Sequence, residues 1–479
     1  MQLLKTEKTV LTDNEILQYI ANYEMNQMPE FTKLWQYYKG KNEKICTRKA
    51  PDPNNPDNIV PIPYGRKIVT TFTGYAYRPK YITYKIDEES EEDYLTNILY
   101  SFKLNNEHIK TNRAGRNTAI FGVSYELMYI DGLLTNDEKI PIKAEPKFFS
   151  VDPREMILLY DYSSEPKKNM AIRFYRITNE YYKVEMYYAT KVMLFDRKRG
   201  TDGKWLLSFQ SESPNYFGEV PVVAYYFGDE MEGIITPVIP LIDSYDVLIS
   251  DSMNEFDRFA HAYLIMKKFG LTDPTKKKDE GAISKTLQML KRSRIFEYLD
   301  EKADIHFLTK DIPTAFIDYM SKFVQNQIHI QSHVPDFTGD RMAGASGIAI
   351  QRLLFDFENV VSSAEADFDI GLMERIRLLT IIYDKVGLAI GEPGNVVISH
   401  KRNVPLNLME FAQTAMTMKN AGFSSYLVAD IMPDDVVPNV EEELERQKEE
   451  QEAMYPDVSM LPPEGEQLPP EETQQEEGV

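Results

Sequence analysis

A glycine-rich segment between two long helical patterns comes closest to a phosphate-binding motif. Gly339, Gly344 and Gly347 fall within nine residues, and such glycines let the backbone adopt left-handed and extended conformations. A Walker-type cradle also needs a lysine followed by serine or threonine after the glycines, and the segment lacks that pair. The segment therefore predicts a movable loop and not a nucleotide site, with Ser346 as the cap of a helix that begins at Gly347.

Two histidines offer a second possible chemistry. His329 and His333 are four residues apart in a helical pattern, which places two imidazoles on one face, where a metal ion could bind. Ile330 stands where a zinc protease carries its glutamate base, so we interpret the pair as ordinary helix residues. Cys46 has no second cysteine, and the acidic clusters lack ordered ligand spacing. The sequence thus predicts no catalytic set, no metal and no cofactor.

Long helices are needed to position the glycine-rich loop. Over 241–269 apolar residues recur every three or four positions, which predicts one helix of about 43 Å with Asp246 and Asp257 on its opposite face. A second helix is predicted over 313–334, and these two helices are expected to pack as a pair. A third helical pattern follows the loop over 348–386.

The third pattern contains Gly371, a candidate for a break or a kink. Two further helices are predicted over 406–420 and 440–454, the second highly charged and rich in glutamate. The chain shows no repeat of fixed period.

A small unit is predicted between the first two long helices, over 270–312. It holds one helical segment and two strand-like runs, 294–299 and 305–309. Residues 265–302 contain ten Lys or Arg against six acidic residues, which makes this the most basic part of the chain. Such a cluster indicates either a solvated face or contact with a polyanion or an acidic partner.

The first half of the chain mixes helices and strands. A helix is predicted after Thr12, and a second, short helix around Trp35 that ends at Gly40. The pattern of 67–77 leaves helix and strand both open. A sheet-rich region is predicted by the runs 125–132, 156–160, 171–176, 181–188 and 191–195, in which apolar and polar residues alternate between turn signals, and it ends in 219–227, a short apolar run suited to a buried strand.

The composition narrows the class of protein. With 479 residues, 43% of them hydrophobic, the chain is long enough for about two to four structural units. Much of the net charge of −21 lies near the end, because residues 441–479 hold 14 acidic and two basic side chains. Residues 456–479 are rich in proline and glutamate, which predicts a disordered acidic tail. One cysteine and the lack of a long apolar run favour a reducing cytoplasm and no membrane.

Several short segments, taken in their order and spacing, resemble one known family. They are residues 36–40, the region around 67–69, and residues 122–126, 129–132, 218–223, 241–246, 250–257 and 345–349. With these segments the chain is similar to the portal proteins of tailed bacteriophages, specifically the SPP1-type portal family, over roughly residues 15–450. No single segment is diagnostic by itself.

The resemblance implies an α+β, helix-rich portal fold. Its parts would be a mixed wing (1–240), a stem of two long helices (241–269 and 313–334), a small α/β clip (270–312), a tunnel loop (335–347), a tunnel helix continuing into the wing (348–386), a helical crown (387–455) and the disordered acidic tail (456–479).

The resemblance also implies a role. The protein would form a ring, a dodecamer in the virion, at one vertex of the capsid, through which the terminase packages DNA and DNA is later ejected. Its partners would be other copies of itself, double-stranded DNA, the terminase, the major capsid and scaffolding proteins, and the head-completion or tail-connector adaptor. It would assemble in the host cytoplasm and would be a conduit, not an enzyme.

Two sets of residues would carry this role. The DNA-facing tunnel loop would present Asp336, Thr338, Gly339, Asp340, Arg341, Gly344, Ser346 and Gly347. The clip would present a basic patch to DNA or to the terminase and adaptor, formed by Lys276, Lys277, Lys278, Lys291, Arg292 and Arg294. Arg341 is the residue expected to meet the phosphate backbone. An otherwise acidic channel would let DNA slide, because each phosphate neutralised by a cation adds affinity.

Two other classes of protein stay open from the residues alone. One is a DNA-processing enzyme, such as a metal-dependent nuclease that uses scattered carboxylates. The other is a cytoplasmic scaffold that binds no nucleic acid. Ring formation separates the portal hypothesis from both.

Overall fold

Helices and strands alternate in segments along the first 400 residues. The computed structural model describes residues 3–49, 56–86, 91–136, 141–228, 230–260, 263–267, 304–308, 314–337, 347–388, 391–402, 408–432, 437 and 440–454. Its helices are α1 (Asp13–Lys39), α2 (Glu43–Cys46), α3 (Tyr64–Ala76), α4 (Glu92–Asn105), α5 (Glu107–Phe121), α6 (Ile239–Ala260), α7 (Thr314–Gln331), α8 (Gly347–Val386), α9 (Leu408–Asn420), α10 (Ser425–Asp430) and α11 (Val440–Met454).

The strands form two larger sheets and two strand pairs. They are β1 (Leu4–Lys5), β2 (Ile82–Ile86), β3 (Val123–Thr135), β4 (Pro141–Val151), β5 (Met156–Tyr160), β6 (Lys168–Thr178), β7 (Tyr181–Tyr187), β8 (Lys191–Arg199), β9 (Trp205–Pro214), β10 (Val222–Tyr226), β11 (Tyr263–Lys267), β12 (Asp304–Leu308) and β13 (Val396–His400). The sheet orders are β1-β5-β6-β7-β8-β9 and β10-β3-β4, and the pairs are β11-β12 and β13-β2. The α+β, helix-rich class is confirmed.

The chain divides into two compact units. One comprises Met1–Gly344 and Ile350–Asn403, and the other Ala345–Ala349 and Val404–Val479. The predicted crown range, 387–455, crosses this division, because β13 pairs with β2 and belongs to the first unit.

Helix α1 is continuous where two helices were predicted. The Thr12 backbone N–H donates to the Glu15 carboxylate at 2.9 Å, and Gly40 ends the helix at φ 72°, as expected. Pro29 lies inside the helix but on its exposed side, where water can bond the carbonyl that the proline leaves free. Tyr23 and Phe31 are buried on either side of it, so packing holds the two halves in line.

The six-stranded sheet confirms the predicted sheet-rich region. Strand β5 is buried along its whole length, as is typical of a strand covered on both faces. Within residues 125–227 the sequence analysis missed two strands, β4 and β9, and elsewhere it missed β1, β2 and β13. Most of β9 is exposed, so its residues lack the regular alternation that marks a half-buried strand.

The first long helix is shorter than predicted. The helix expected over 241–269 begins at Ile239 and ends at Ala260, and Tyr263–Lys267 is strand β11. Strand β11 pairs antiparallel with β12, which confirms the strand-like run expected from residue 305. The apolar residues of Tyr263–Lys267 suit either structure, and the pairing with β12 decides between them. The other predicted run, 294–299, lies outside the described residues.

Helix α8 passes through Gly371 without a break. A Cβ atom at this position would lie 2.4 Å from Cδ1 of Tyr225 in β10. The glycine therefore lets α8 lie close against the three-stranded sheet.

The second unit contains α9, α10 and α11, and α9 and α11 confirm the helices expected over 406–420 and 440–454. Gly422 has φ 87° in the turn between α9 and α10. Ser424 caps α10 by accepting the Leu427 backbone N–H at 3.2 Å.

Candidate functional site

The predicted site residues lie mostly outside the described part of the chain. In the tunnel loop these are Thr338, Gly339, Asp340, Arg341, Gly344 and Ser346, and in the clip Lys276, Lys277, Lys278, Lys291, Arg292 and Arg294. The structure describes Asp336, at the start of the predicted loop, and Gly347, the first residue of α8. The site can therefore be built from the two helices that flank the loop, α7 and α8, and from the elements that they contact.

Asp336 connects the start of the predicted loop to α3. Its carboxylate lies 2.9 Å from the ammonium group of Lys67. Both side chains are about two-fifths exposed, so the pair contributes at most about 1 kcal/mol. The contact places the start of the predicted loop beside α3 but adds little to the stability of the fold.

His329 holds the turn that follows α7. Its Nδ1 lies 2.9 Å from the Val334 carbonyl, which needs an N–H on that nitrogen, and its ring meets Tyr64 edge-on at 6.2 Å. Burial lowers the pKa of His329 below its ordinary value. His333 lies beyond the helix end, with φ 56°. In the part of the chain that the structure describes, no group of three His, Cys, Asp or Glu side chains could hold a metal ion.

Helices α6 and α7 pack as the predicted pair. Ile242 of α6 and Ile328 of α7 are fully buried, and Val324 is nearly so. The Gln325 side-chain amide donates to the Tyr245 hydroxyl at 2.6 Å across the pair. The apolar contact with one polar bond fixes the register of the two helices.

The polar side chains of α6 correct the sequence analysis. Asp246, which was expected on the outer face, is fully buried, as are Ser250 and Asn254. These three side chains accept the backbone N–H groups of Ile62 at 2.9 Å, of Val60 at 3.1 Å and of Asn58 at 2.7 Å. We call residues 58–62 the strap.

Simple geometry explains this ladder of hydrogen bonds. Four residues of helix advance about 6.0 Å, and two residues of extended chain advance about 6.6 Å. Every second N–H of the strap therefore meets every fourth side chain of α6. Asp246 also accepts from the Asn42 amide at 2.5 Å, although burial raises its pKa. A run of short polar residues at a spacing of four was the signal available in the sequence.

Helix α8 is locked to the first unit by a buried cluster. The guanidinium of Arg375 donates to both oxygens of Glu126 at 2.7 and 3.1 Å, to Glu107 at 3.1 Å and to the Thr111 hydroxyl at 2.9 Å. The Tyr84 hydroxyl donates to the same Glu107 oxygen at 2.8 Å. The helix that follows the predicted loop is thus fixed to α5, β2 and β3.

A second set of charges joins α8 to the end of β13. Arg402 donates to Glu365 at 2.6 and 2.7 Å and to Glu358 at 2.7 Å, and His400 lies 2.7 Å from Asp369. These acidic residues form one side of α8. These contacts therefore hold the end of β13 and Arg402 against α8.

One side of α7 carries large apolar side chains that the described residues leave exposed. Phe316, Tyr319, Phe323 and Ile330 are each between 47 and 63% exposed. At 3.6 residues per turn they fall within an arc of about 60°. We call these four residues the stripe. An apolar surface of this length is typical of a contact with another protein.

Comparison with known proteins identifies the family. The sequence matches the family model for phage portal proteins of the SPP1 Gp6-like type over residues 17–456. The chain therefore belongs to this family of portal proteins, which is structural and not catalytic. No curated relative matches the chain in a direct sequence comparison.

Two solved structures are similar in shape. A chain from the neck of a native GTA particle, determined with C12 symmetry, has a TM-score of 0.45 and 9% identity, and the match covers 84% of this chain and 92% of that one. A chain from the neck of an empty GTA particle, determined with C6 symmetry, has a TM-score of 0.44 and 10% identity, covering 76% and 88%. The family membership rests on the sequence match alone. Among the described residues, no helix has the length and apolar character to span a membrane.

Proposed function

We propose that this protein is a portal subunit that forms a ring at one vertex of a phage capsid, with twelve copies in the virion. The ring is the channel through which the terminase packages DNA and through which DNA leaves. It is also the docking site for the terminase and for the head-completion or tail-connector adaptor, and it meets the major capsid and scaffolding proteins during assembly in the host cytoplasm. The observation that carries the proposal is the family match over residues 17–456.

The stripe on α7 supports association between copies. Among the described residues Phe316 and Phe323 are about half exposed, and fully burying a phenylalanine contributes about 1.5–3 kcal/mol, so covering the exposed half of each ring contributes about half of that. In a ring each copy has a neighbour on both sides, and one neighbour would cover the stripe.

The tunnel loop is the proposed DNA contact. Arg341 would meet the phosphates, and the clip lysines and arginines would meet DNA or the docking proteins. Asp336 supports a link from the loop to the rest of the subunit, because it pairs with Lys67 of α3. A shift of the loop would then act on α3 from one end and on α8 from the other.

The proposal can be tested with two substitutions in the stripe. Because the two rings are only about half exposed before association, Phe316→Gln together with Phe323→Gln should remove about 1.5–3 kcal/mol of apolar burial per contact, enough to weaken association at least tenfold. Light scattering should find a large assembly for the natural chain and free subunits for the variant. Lys322→Gln, on the same helix in an exposed ion pair with Asp318, is the matched control and should assemble normally. A natural chain that stays a single subunit over a range of salt and protein concentrations contradicts the proposal.

A further inference from the structure

The two larger sheets differ in how well their edge strands are covered by the rest of the described chain. A strand at a sheet edge exposes unpaired backbone N–H and C=O groups that can pair with another chain, and proteins commonly block such edges. The two larger sheets have four edge strands, β1, β9, β10 and β4. Three of the four are short or covered within the described part of the chain.

The centre of β4 is blocked by side chains of α4 and α5. The amide of Asn105 donates to the Pro146 carbonyl at 3.1 Å, and its oxygen accepts the Phe148 N–H at 3.3 Å. The ammonium group of Lys110 bonds the Phe148 carbonyl at 2.5 Å. Asn105 thus makes the two hydrogen bonds that a neighbouring strand would make.

The edges β10 and β1 are closed in other ways. The Val222 carbonyl of β10 accepts from the Lys168 ammonium group at 2.7 Å, and α8 passes so close that a Cβ atom on Gly371 would lie 3.1 Å from the Ala224 carbonyl. Strand β1 is only two residues long, which leaves little backbone to pair with.

Within the described residues, no side chain of another element bonds the free backbone edge of β9, although helix α1 lies near the strand. Strand β9 is ten residues long, and eight of the ten are exposed, including the large apolar side chains Leu206 and Phe209 at 57 and 53%. Among the described residues, one side chain bonds the backbone of β9, and it belongs to β9 itself: the Gln210 amide donates to the Ser208 carbonyl at 3.4 Å.

The sequence of β9 carries few of the usual defences of an edge strand. It holds no lysine or arginine, its proline is the last residue, and its one charge, Glu212, is paired with Lys191 at 3.0 Å on β8. A bulge at Gln210 is the one interruption. An edge this long and apolar favours pairing with an extended segment of another chain.

We propose that β9 is an interface strand whose free edge and exposed apolar side chains are covered by a second copy of this chain. The proposal rests on the ring proposed above, which places a neighbouring copy beside every subunit at a high effective concentration. A ring needs two different faces on each subunit, and β9 and the stripe lie on different elements. Backbone hydrogen bonds at β9 would fix the orientation of one copy relative to the next, which the apolar contact at the stripe does not do by itself.

Hydrogen exchange followed by mass spectrometry tests the proposal on the full chain. Rings and subunits, separated by size after dissociation by dilution, would be compared in one buffer for residues 205–214. We expect the amides of β9 to exchange at least tenfold more slowly in rings than in subunits. Equal exchange of β9 in both forms, with slower exchange at α7 in rings, would overturn the proposal and leave the ring intact. If no ring forms, the proposed function itself fails.

Charged substitutions at the edge give a second test. Leu206→Lys with Phe209→Lys should speed the exchange of subunits between rings at least tenfold, because lysine opposes pairing at an edge. Ile177→Lys is the matched control, since Ile177 is also an exposed apolar residue but lies on the inner strand β6. The same rate for all three proteins overturns the proposal. Protection of β9 that appears only after other virion proteins are added would assign the edge to a different partner and overturn it as well.

Discussion

The buried cluster around Arg375 allows one prediction to be worked out in detail. Its guanidinium is fully buried and donates four hydrogen bonds, to Glu126, Glu107 and Thr111. Replacing it by methionine, which has a similar volume, leaves two buried carboxylates without a cation. Removing one partner of a buried ion pair costs about 3–5 kcal/mol, and we expect Arg375→Met to fall in that range.

A matched control lies two residues away on the same helix. Arg377 pairs with Glu219, but the two side chains are 46 and 34% exposed, so solvent screens the pair. Arg377→Met should cost no more than about 1 kcal/mol. The comparison separates the loss of a buried cation from the general effect of a methionine in α8.

Urea unfolding followed by tryptophan fluorescence is the assay. Both tryptophans, Trp35 and Trp205, lie in the first unit, so the signal reports the unit that holds the cluster. Arg375→Met combined with Glu126→Met removes the stranded charge and should recover part of the lost stability. Equal midpoints for Arg375→Met and Arg377→Met would refute the reasoning.

Three further predictions concern packing, the strap and pH. Gly371→Ala should lower the thermal midpoint of the protein, because the new Cβ would lie 2.4 Å from the Tyr225 ring. Gly74→Ala should raise the thermal midpoint, because the space around its Cβ in α3 is open and alanine favours a helix by up to about 1 kcal/mol. Ser250→Ala leaves the half-buried Val60 N–H of the strap without its acceptor and should cost about 1 kcal/mol, while Ser244→Ala, exposed on the same helix, should cost little. Burial holds the pKa of His329 below its unfolded value of 6.5. The contribution of His329 to the free energy of unfolding is therefore fully present above pH 6.5 and is lost as the pH falls below that value. The thermal midpoint of His329→Gln relative to the natural protein should therefore rise between pH 7.5 and pH 5.5, and an unchanged difference would contradict this.

Periodicity predicted the helices well where one face is apolar and buried. The helices after the predicted loop and at the end of the chain, and the pairing of α6 with α7, follow from that pattern. It failed where polar groups are buried. Asp246 looks like a surface residue until the strap supplies the N–H groups that it accepts, and those donors lie about 180 residues earlier in the chain.

Long-range contacts explain the other differences. Tyr263–Lys267 becomes a strand because β12 pairs with it, and Pro29 stays in a helix because buried rings on both sides hold it there. Gly371 looks like a helix breaker until Tyr225 is placed beside it. Arg375 carries no local signal at all, since its partners Glu126 and Glu107 are about 250 residues away.

The central claim, that this portal-family chain forms a ring around a channel, is tested most directly by negative-stain electron microscopy of the purified protein with class averaging. The account predicts closed rings of about a dozen subunits with a central hole wide enough for duplex DNA. A uniform population of monomers or dimers across several salt and protein concentrations would contradict it.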